Sequence, residues 1–242
     1  MEYVLFYLTI LLTHIIQGIT GFAGTLLAMP FSLRLVGVDV AVPVLNGLGI
    51  ASGLYIFLGN RKHVVWREVG IVLAVMIPFM LGGVFLRNLL KGNTRTLFIV
   101  LGIIVLLLAV KGIYDLFFAK QERPLPTAVR YGALVLAGIV HGMFVCGGPL
   151  LIIYIADRLP KKEAFRATLS TIWAVLDTIL LVTQLISGEW SLPLLKTQLI
   201  ALPVLILAMI IGSLLYKKMS QRLFMIITYI LLLISGISLF FK

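Results

Sequence analysis

Charged residues are scarce in this chain of 242 residues, which contains only 12% Asp, Glu, Lys and Arg. By contrast, 61% of the residues are hydrophobic, and the mean hydropathy is +1.15. A soluble domain contains about 45–50% apolar residues, so a soluble core could not absorb this excess. The apolar residues also come in long runs that match the ~20-residue helix needed to cross a bilayer. The composition therefore predicts an integral membrane protein.

Cysteine is almost absent too, since Cys146 is the only one. A single cysteine cannot form an intrachain disulfide or a multi-cysteine metal site. The chain also lacks the glycine-rich nucleotide loop, the His-Glu-x-x-His metal motif and the Gly-x-Ser-x-Gly nucleophile motif. We therefore predict a protein that is not an enzyme and that uses no cofactor and no metal.

The formal net charge is +11, with 20 Lys and Arg against 9 Asp and Glu. Such an excess can indicate a nucleic-acid partner, but here the basic residues lie in short clusters between apolar runs and form no basic domain. Positive clusters beside membrane segments set the orientation of the chain, because they stay on the cytoplasmic side. The pattern favours the lipid bilayer, and not nucleic acid, as the partner.

Eight hydrophobic segments can be recognised, each bounded by charged residues or by Gly, Pro and Asn. They span residues 3–36, 40–58, 69–90, 95–118, 128–157, 164–187, 192–215 and 222–241. The most polar connection contains prolines and lies near the middle of the chain. We therefore predict an all-α membrane protein with two four-segment repeats, over residues 1–118 and 128–242, joined by a linker over residues 119–127.

The two halves resemble each other when the second half is shifted back by 124 positions. This shift brings Gly18 onto Gly142 and Gly24 onto Gly148, together with neighbouring Leu-Leu and Arg-Leu pairs. Leucine matches arise easily by chance in membrane sequences, whereas paired glycines with matching flanks do not. The alignment favours an internal duplication over chance similarity.

The first segment of each half is interrupted. Glycines are concentrated in residues 17–30 and 138–149, and each stretch ends in a proline. As an unbroken helix, either segment would be about 45 Å long, against a hydrocarbon core of about 30 Å. Glycine and proline at membrane depth free backbone groups that lipid cannot satisfy, so they occur beside protein or a watery cavity. The interruptions therefore predict broken or re-entrant segments next to a cavity.

The relative orientation of the halves depends on whether segments one and five cross the bilayer. If they cross, the halves are parallel and the 20 basic residues divide nine against eleven; if they fold back, the halves are inverted and the division is fourteen against six. Because cytoplasmic loops carry the excess of Lys and Arg, we prefer inverted repeats with both termini outside, as in many secondary transporters. The fourteen are Arg61, Lys62, Arg67, Lys111, Lys120, Arg123, Arg130, Arg158, Lys161, Lys162, Arg166, Lys217, Lys218 and Arg222.

Helix breaks suit anion binding, because the N-terminus of a half-helix presents free N–H groups and a positive partial charge. Glycines let the backbone approach a ligand, and small polar side chains add hydrogen bonds. Small residues can also simply let membrane helices pack closely, and Ser and Thr often bond their own backbone. The candidate substrate-binding residues are Gln17, Gly18, Thr20, Gly21, Gly24, Thr25, Asn46, His141, Gly142, Cys146, Gly147, Gly148, Thr168, Ser170 and Thr171.

Two ionisable residues inside the apolar segments are candidates for coupling. His141 lies beside the second break, where an imidazole could bind an anion or relay a proton. Asp177 is the only acidic residue deep inside a segment, and acids within a membrane commonly carry protons or coupling ions. We predict that Asp177 and His141 couple transport to a proton or sodium gradient; the alternative is a structural pair between them.

The residues at the breaks resemble a known family. Gly18-Ile-Thr-Gly21-Phe22-Ala-Gly24-Thr-Leu-Leu-Ala-Met-Pro30 and Gly138-Ile-Val-His-Gly142-Met-Phe-Val-Cys-Gly147-Gly148-Pro149-Leu are similar to motifs of the TauE/SafE family, also called the toluene sulfonate uptake permease family. The likeness extends over the whole chain. It implies a permease for sulfite, sulfonates or related organosulfur anions, driven by an ion gradient.

Three functions stay open from the sequence. The first is a coupled secondary transporter of a small, sulfur-containing anion, and the second is an uncoupled anion channel or facilitator. The third is an accessory subunit that does not transport. For all three we expect a multi-pass protein of the prokaryotic cytoplasmic membrane.

Overall fold

The computed structural model describes residues 1–90, 93–118, 126–155, 158–159 and 161–216, and a few single positions between 226 and 237. This part of the chain is helical and contains no strand. A 3-10 helix over Arg61–His63 follows α3. The α-helices are α1 (Glu2–Thr20), α2 (Ala23–Val36), α3 (Val38–Asn60), α4 (Trp66–Leu90), α5 (Thr94–Phe118), α6 (Thr127–Phe144), α7 (Gly148–Ile155), α8 (Lys162–Ile186) and α9 (Leu192–Tyr216).

The first and fifth predicted segments are each divided into two helices. Helix α1 ends where Gly21 has a φ of 86°, and the Gly21 N–H donates to Gln17 O over 2.7 Å. Helix α6 ends at Val145, which has a φ of 56° and whose N–H donates to His141 O over 2.7 Å. Left-handed residues end helices because they turn the chain away from the helix axis. The predicted interruptions are therefore present as helix breaks.

Each broken pair folds back on itself, because α2 packs on α1 and α7 packs on α6. Gly147 lies so close to Ala137 O and His141 Cβ that a side chain there would collide with them. In a straight helix Gly147 and Ala137 would be about 15 Å apart. The two broken segments are therefore helical hairpins.

The outside of the bundle is apolar. Leu58, Phe85, Leu107, Leu199 and Ile206 are all more than half exposed, as expected for side chains that face lipid. Six helices of the described part are long and apolar enough to cross a membrane: Glu2–Thr20, Val38–His63, Trp66–Leu90, Thr127–Phe144, Glu163–Ile186 and Leu192–Leu215.

Glycines form the closest contacts between helices of different halves. Gly18 of α1 lies directly against Gly212 of α9, and Gly142 of α6 lies directly against Met80 of α4. Small residues allow such close approach of two backbones in membranes. Helices α4 and α9 are the third hydrophobic segments of their halves, so each broken helix packs on the third segment of the other half, which is the exchange of partners expected from a duplication.

Helices α3 and α8 form an antiparallel pair in the middle of the bundle. Near one end of the pair, the Val65 N–H donates to Thr168 Oγ1 over 3.0 Å. Near the other end, Asn46 Nδ2 donates to Gln184 Oε1 over 3.3 Å. The first end is called the basic end, because it carries Arg61, Lys62, Arg67, Arg158 and Lys161.

An ion pair also joins the two halves at the basic end. Arg158 Nη1 lies 3.2 Å from Glu68 Oε1, so the loop after α7 and the start of α4 share one end of the bundle. Parallel halves would place these two positions on opposite sides of the membrane. The contact favours the inverted arrangement, while the repeat itself, with its boundaries, stays a prediction.

Seven of the eight predicted segments correspond to the helices described above. The eighth, over residues 222–241, lies outside the described residues apart from a few positions, and so does most of the predicted linker over residues 119–127.

Candidate functional site

The two helix breaks meet inside the bundle. A Cβ built on Gly148, the first residue of α7, would lie 3.5 Å from the ring of Phe22, the residue that precedes α2. Gly49, at the midpoint of α3, and Trp173, close to the midpoint of α8, line the same space. The breaks therefore lie halfway along the central helices, at the depth where transporters with broken helices bind their substrates.

A cavity of about 20 Å³ lies at this meeting point. This volume accommodates about one water molecule, whereas pockets for organic ligands measure about 300–1,000 Å³. The site is therefore tight in this conformation, and the helices must move before it can hold a larger solute. The cavity is lined by Gln17, Phe22, Thr25, Leu26, Gly49, His141, Val145, Cys146, Gly148, Trp173 and Asp177.

His141 and Asp177 form a buried pair at the cavity. His141 Nε2 lies 2.9 Å from Asp177 Oδ1, and both side chains are at most 4% exposed. The separation is that of an ion pair, although the two groups are not aligned for a straight hydrogen bond. Trp173 stacks on the His141 ring, with 5.0 Å between the ring centroids. Asp177 and Trp173 therefore both contact the imidazole at the cavity.

Gln17 organises the first break. Its Oε1 accepts a hydrogen bond from the Gly24 N–H over 2.8 Å, and its Nε2 donates to Ser52 Oγ of α3. Ser52 in turn donates to Gly49 O over 3.1 Å. One carboxamide thus connects α1, the start of α2 and α3. The hydrogen bond from the Gly24 N–H to Gln17 Oε1 also satisfies one of the free N–H groups at the N-terminus of α2.

The N-termini of α2 and α7 both lie beside the cavity, with Phe22 and Thr25 at the first and Gly148 at the second. A helix N-terminus concentrates positive partial charge, so each one favours a bound anion. Two N-termini thus converge on the cavity from different hairpins, and its described lining contains the acid Asp177 but no Arg or Lys. No group of three or more His, Cys, Asp or Glu that could hold a metal occurs among the residues described.

Asn46 lies one turn from the cavity. Its Nδ2 donates to the main-chain O of Asp177 over 3.0 Å, so it contacts the backbone of the predicted coupling residue. It therefore supports the site from the side that faces away from the basic end.

Other predicted site residues lie at helix contacts or bond their own backbone. Gly18 and Gly142 pack against α9 and α4, and Gly147 packs against α6. Thr171 Oγ1 donates to Ala167 O over 2.8 Å, and Thr20 Oγ1 donates to Ile16 O over 2.9 Å.

Three further residues lie towards the basic end. Thr168 Oγ1 accepts from the Val65 N–H, while Gly21 lies beside Ser170 and Arg166. For all of these residues a role in substrate binding stays a prediction, and their contacts favour a structural role.

Sequence reasoning missed six residues of the site: Phe22, Leu26, Gly49, Ser52, Val145 and Trp173. Trp173 could have been found, because it precedes Asp177 by four positions and so shares its face of the helix. Gly49 leaves room for the Asp177 carboxylate, with which a Cβ there would overlap. Neither Gly49 nor Ser52 has a sequence signal, since only the packing of α3 on α8 and α1 brings them to the cavity.

Comparisons with known proteins agree with this architecture. Residues 6–239 match the family model described as sulfite exporter TauE/SafE. The chain is 25% identical over 205 residues to the probable sulfite/organosulfonate exporter TauE of Cupriavidus necator, with 81% of this chain and 77% of the relative covered. No solved structure matches the chain. Because the family match extends over nearly the whole bundle, the chain belongs to the sulfite exporter TauE/SafE family of membrane transporters.

Proposed function

We propose that this chain is a secondary transporter that moves sulfite, a sulfonate or another small organosulfur anion and is coupled to a proton gradient. The observation that supports this proposal is the convergence of the α2 and α7 N-termini on one buried cavity at mid-depth. The family name and the name of the relative agree with a sulfur-containing substrate.

The chemistry of the cavity suits a small oxyanion. Backbone N–H groups at helix ends, the Gln17 carboxamide and the Thr25 hydroxyl can donate to oxygen atoms. These donors stabilise negative charge through partial charges, so binding needs no buried cationic side chain whose desolvation would be costly. A glycine at position 148 lets the anion approach the backbone.

Asp177 supports coupling to protons. An ionised carboxylate would repel an anion in the same cavity, and a low dielectric makes this repulsion strong. One proton held between His141 and Asp177, whose nearest atoms are 2.9 Å apart, removes this conflict. Proton and anion would then bind together and be released together, which is the basis of coupled transport. Sodium is a less suitable coupling ion, because the cavity offers one carboxylate and few other oxygen ligands.

The tight cavity favours a transporter that alternates between conformations over a permanently open channel. A channel needs a continuous wet path, whereas this site has room for about one water molecule. The positive-inside rule makes the basic end cytoplasmic, in what we take to be the cytoplasmic membrane of a prokaryote.

The proposal is tested with purified protein in liposomes. Sulfite, sulfate, thiosulfate and short sulfonates are offered one at a time, with and without a pH gradient, and their accumulation is measured. We expect one sulfur oxyanion to accumulate against its concentration gradient only when the pH gradient is present. Equal flux with and without the gradient would show a facilitator.

An accessory role is tested separately by placing Leu at Gly148, where the longer side chain would fill the cavity. We expect flux to be lost. If Gly148→Leu and Gly24→Leu both leave the transport activity of the host cell unchanged, the chain does not itself carry the substrate and acts as an accessory subunit.

A further inference from the structure

Three carboxamides form a buried cluster between the central cavity and the end of the bundle opposite the basic end. Asn46 of α3, Gln184 of α8 and Gln198 of α9 are 0%, 1% and 8% exposed. Asn46 Nδ2 donates to the Asp177 main-chain O over 3.0 Å and also lies 3.3 Å from Gln184 Oε1. The cluster is thus bonded directly to the backbone at the central site.

The cluster has more polar atoms than partners. Asn46 Oδ1, Gln184 Nε2 and Gln198 Oε1 are buried, and none of them has a hydrogen-bond partner among the residues that the structure describes. Buried amide atoms are normally bonded to protein or to ordered water. Whichever way each carboxamide is turned, the set offers both donors and acceptors. Such a mixed set is matched by water and by a hydrated anion, and it is poorly matched by lipid.

The cluster lies just inside the surface of the bundle. Gln184 is in the last turn of α8, and the residues that follow it, Leu185 and Ile186, are more than half exposed. Trp190, in the loop before α9, is half-buried and donates from Nε1 to Gln184 Oε1 over 3.4 Å. Trp190 therefore contacts the cluster from the loop between α8 and α9.

The packing of α3 on α9 leaves space for the third carboxamide. A Cβ on Gly47 would collide with the carboxamide of Gln198, so this side chain lies directly on the α3 backbone. Gly47 follows Asn46 in α3, so Gln198 of α9 and Gln184 of α8 contact the same turn of α3.

Each end of the bundle also has an ion pair. At the basic end the carboxylate of Glu68 accepts from Tyr154 Oη over 3.2 Å and from Arg158 Nη1 over 3.2 Å. At the other end Arg87 Nη2 donates to Glu189 Oε1 over 2.7 Å. What distinguishes the carboxamide end is its set of three amide atoms without partners, which gain hydrogen bonds when water enters.

We propose that Asn46, Gln184 and Gln198 line a water-bearing access passage, covered by Trp190 in this conformation, through which a hydrated anion reaches the central cavity. The substrate class rests on the proposed function, but the passage itself rests on the carboxamide cluster. The passage opens at the end opposite the basic end, on the side that the positive-inside rule makes external.

The passage is tested by the reactivity of single cysteines. The protein, with Cys146→Ala, is purified in lipid nanodiscs and treated with a small, negatively charged methanethiosulfonate reagent, and labelling is followed by mass spectrometry. Asn46→Cys is compared with Leu45→Cys, because both native residues are 0% exposed and they are neighbours in α3. We expect position 46 to react at least about 10-fold faster, because local opening hydrates only the polar face. Equal rates at the two positions would overturn the proposal.

A second pair of variants keeps the test decisive if Asn46→Cys does not fold. Gln184→Cys is expected to react, and adding Trp190→Ala is expected to speed its reaction. A Gln184→Cys protein that resists the reagent with and without Trp190 also overturns the passage. Labelling needs no turnover, so its outcome is independent of the flux experiment. Position 46 can react as expected although no flux is measured, and it can fail to react although the wild-type flux is proton-driven.

Discussion

The two helix breaks have similar glycines but different polar chemistry. At the first break Gly21 supplies the left-handed residue, and the neutral side chain of Gln17 bonds to the Gly24 N–H. At the second break Val145 takes the left-handed conformation, and the nearby polar group is ionisable His141, paired with Asp177. A side chain with a Cβ costs about 1–2 kcal/mol in this conformation, which glycine avoids.

The difference indicates a division of labour. The first break is unstrained and has its polar groups bonded, so it suits a fixed set of donors for the substrate. The second break contains a strained residue and the pair that we propose as the proton site, so it suits the part of the site that changes state. Four substitutions examine this comparison.

Replacing Asp177 with Asn should have the largest effect, because it removes the group that we propose binds the proton and keeps the shape of the side chain. We expect accumulation driven by a pH gradient to fall at least about 100-fold, or about 2.7 kcal/mol, as expected when an essential intramembrane acid is neutralised. Exchange of labelled for unlabelled substrate should persist, since exchange needs no net proton movement. Thr178→Val is the control, because Thr178 Oγ1 donates to Ala174 O of its own helix over 2.6 Å and to no other described residue. If Asp177→Asn accumulates substrate as well as the wild type does, the second break has no role in coupling.

Gly49→Ala should disturb the second break from the opposite helix. The added Cβ would overlap with the Asp177 carboxylate, and overpacking of this kind costs about 1–3 kcal/mol. We expect a lower unfolding temperature in detergent and reduced coupled flux. Gly59→Ala is a matched control in the same helix, because a Cβ there meets no atom within 4 Å. If both variants behave alike, the contact between α3 and Asp177 is not the cause.

Gln17→Leu should weaken the first break without touching the ionisable pair. The Gly24 N–H loses its acceptor, and a buried donor without a partner costs about 1–3 kcal/mol. We expect lower thermal stability and unchanged dependence of flux on pH. Gln17→Glu keeps an acceptor but buries a negative charge and loses the donor to Ser52, so we expect weaker anion binding together with lower stability. Loss of pH dependence in Gln17→Leu would contradict the division of labour.

Gly148→Ala should have the smallest effect of the four. Its Cβ would make ordinary contacts of 3.5 Å with the Phe22 ring and 3.9 Å with Trp173, so we expect a change in stability below about 1 kcal/mol. Gly24→Ala, at the equivalent position of the first break, would overlap with Gln17 and should be clearly destabilised. Thermal unfolding of the two variants side by side checks this contrast, and equal losses would speak against it.

Part of the site was predictable because ionisable residues and helix-breaking glycines are rare within membrane segments and easily recognised there. Asp177 and His141 stand out in apolar segments, and the glycines mark places where a helix cannot continue. From the sequence, a contact between Asp177 and His141 is expected only under the alternative of a structural pair. The structure places the two groups 2.9 Å apart, and the proposed proton site depends on the same contact. Gly18 and Gly142 were harder to interpret from the sequence. Their spacing predicts binding residues, whereas in the structure both contact the backbone of a neighbouring helix.

By itself, the sequence determined the membrane environment, the positions of the helix breaks and the family resemblance. These properties depend on local composition and on short motifs, which need no partner segment to be recognised. Only the tertiary structure decided which residues meet at the cavity, that α3 and α8 are antiparallel, and where the carboxamides of Asn46, Gln184 and Gln198 gather. Lipid-facing and core-facing apolar residues look the same in a sequence, so the facing surfaces of membrane helices are chosen by packing between distant segments.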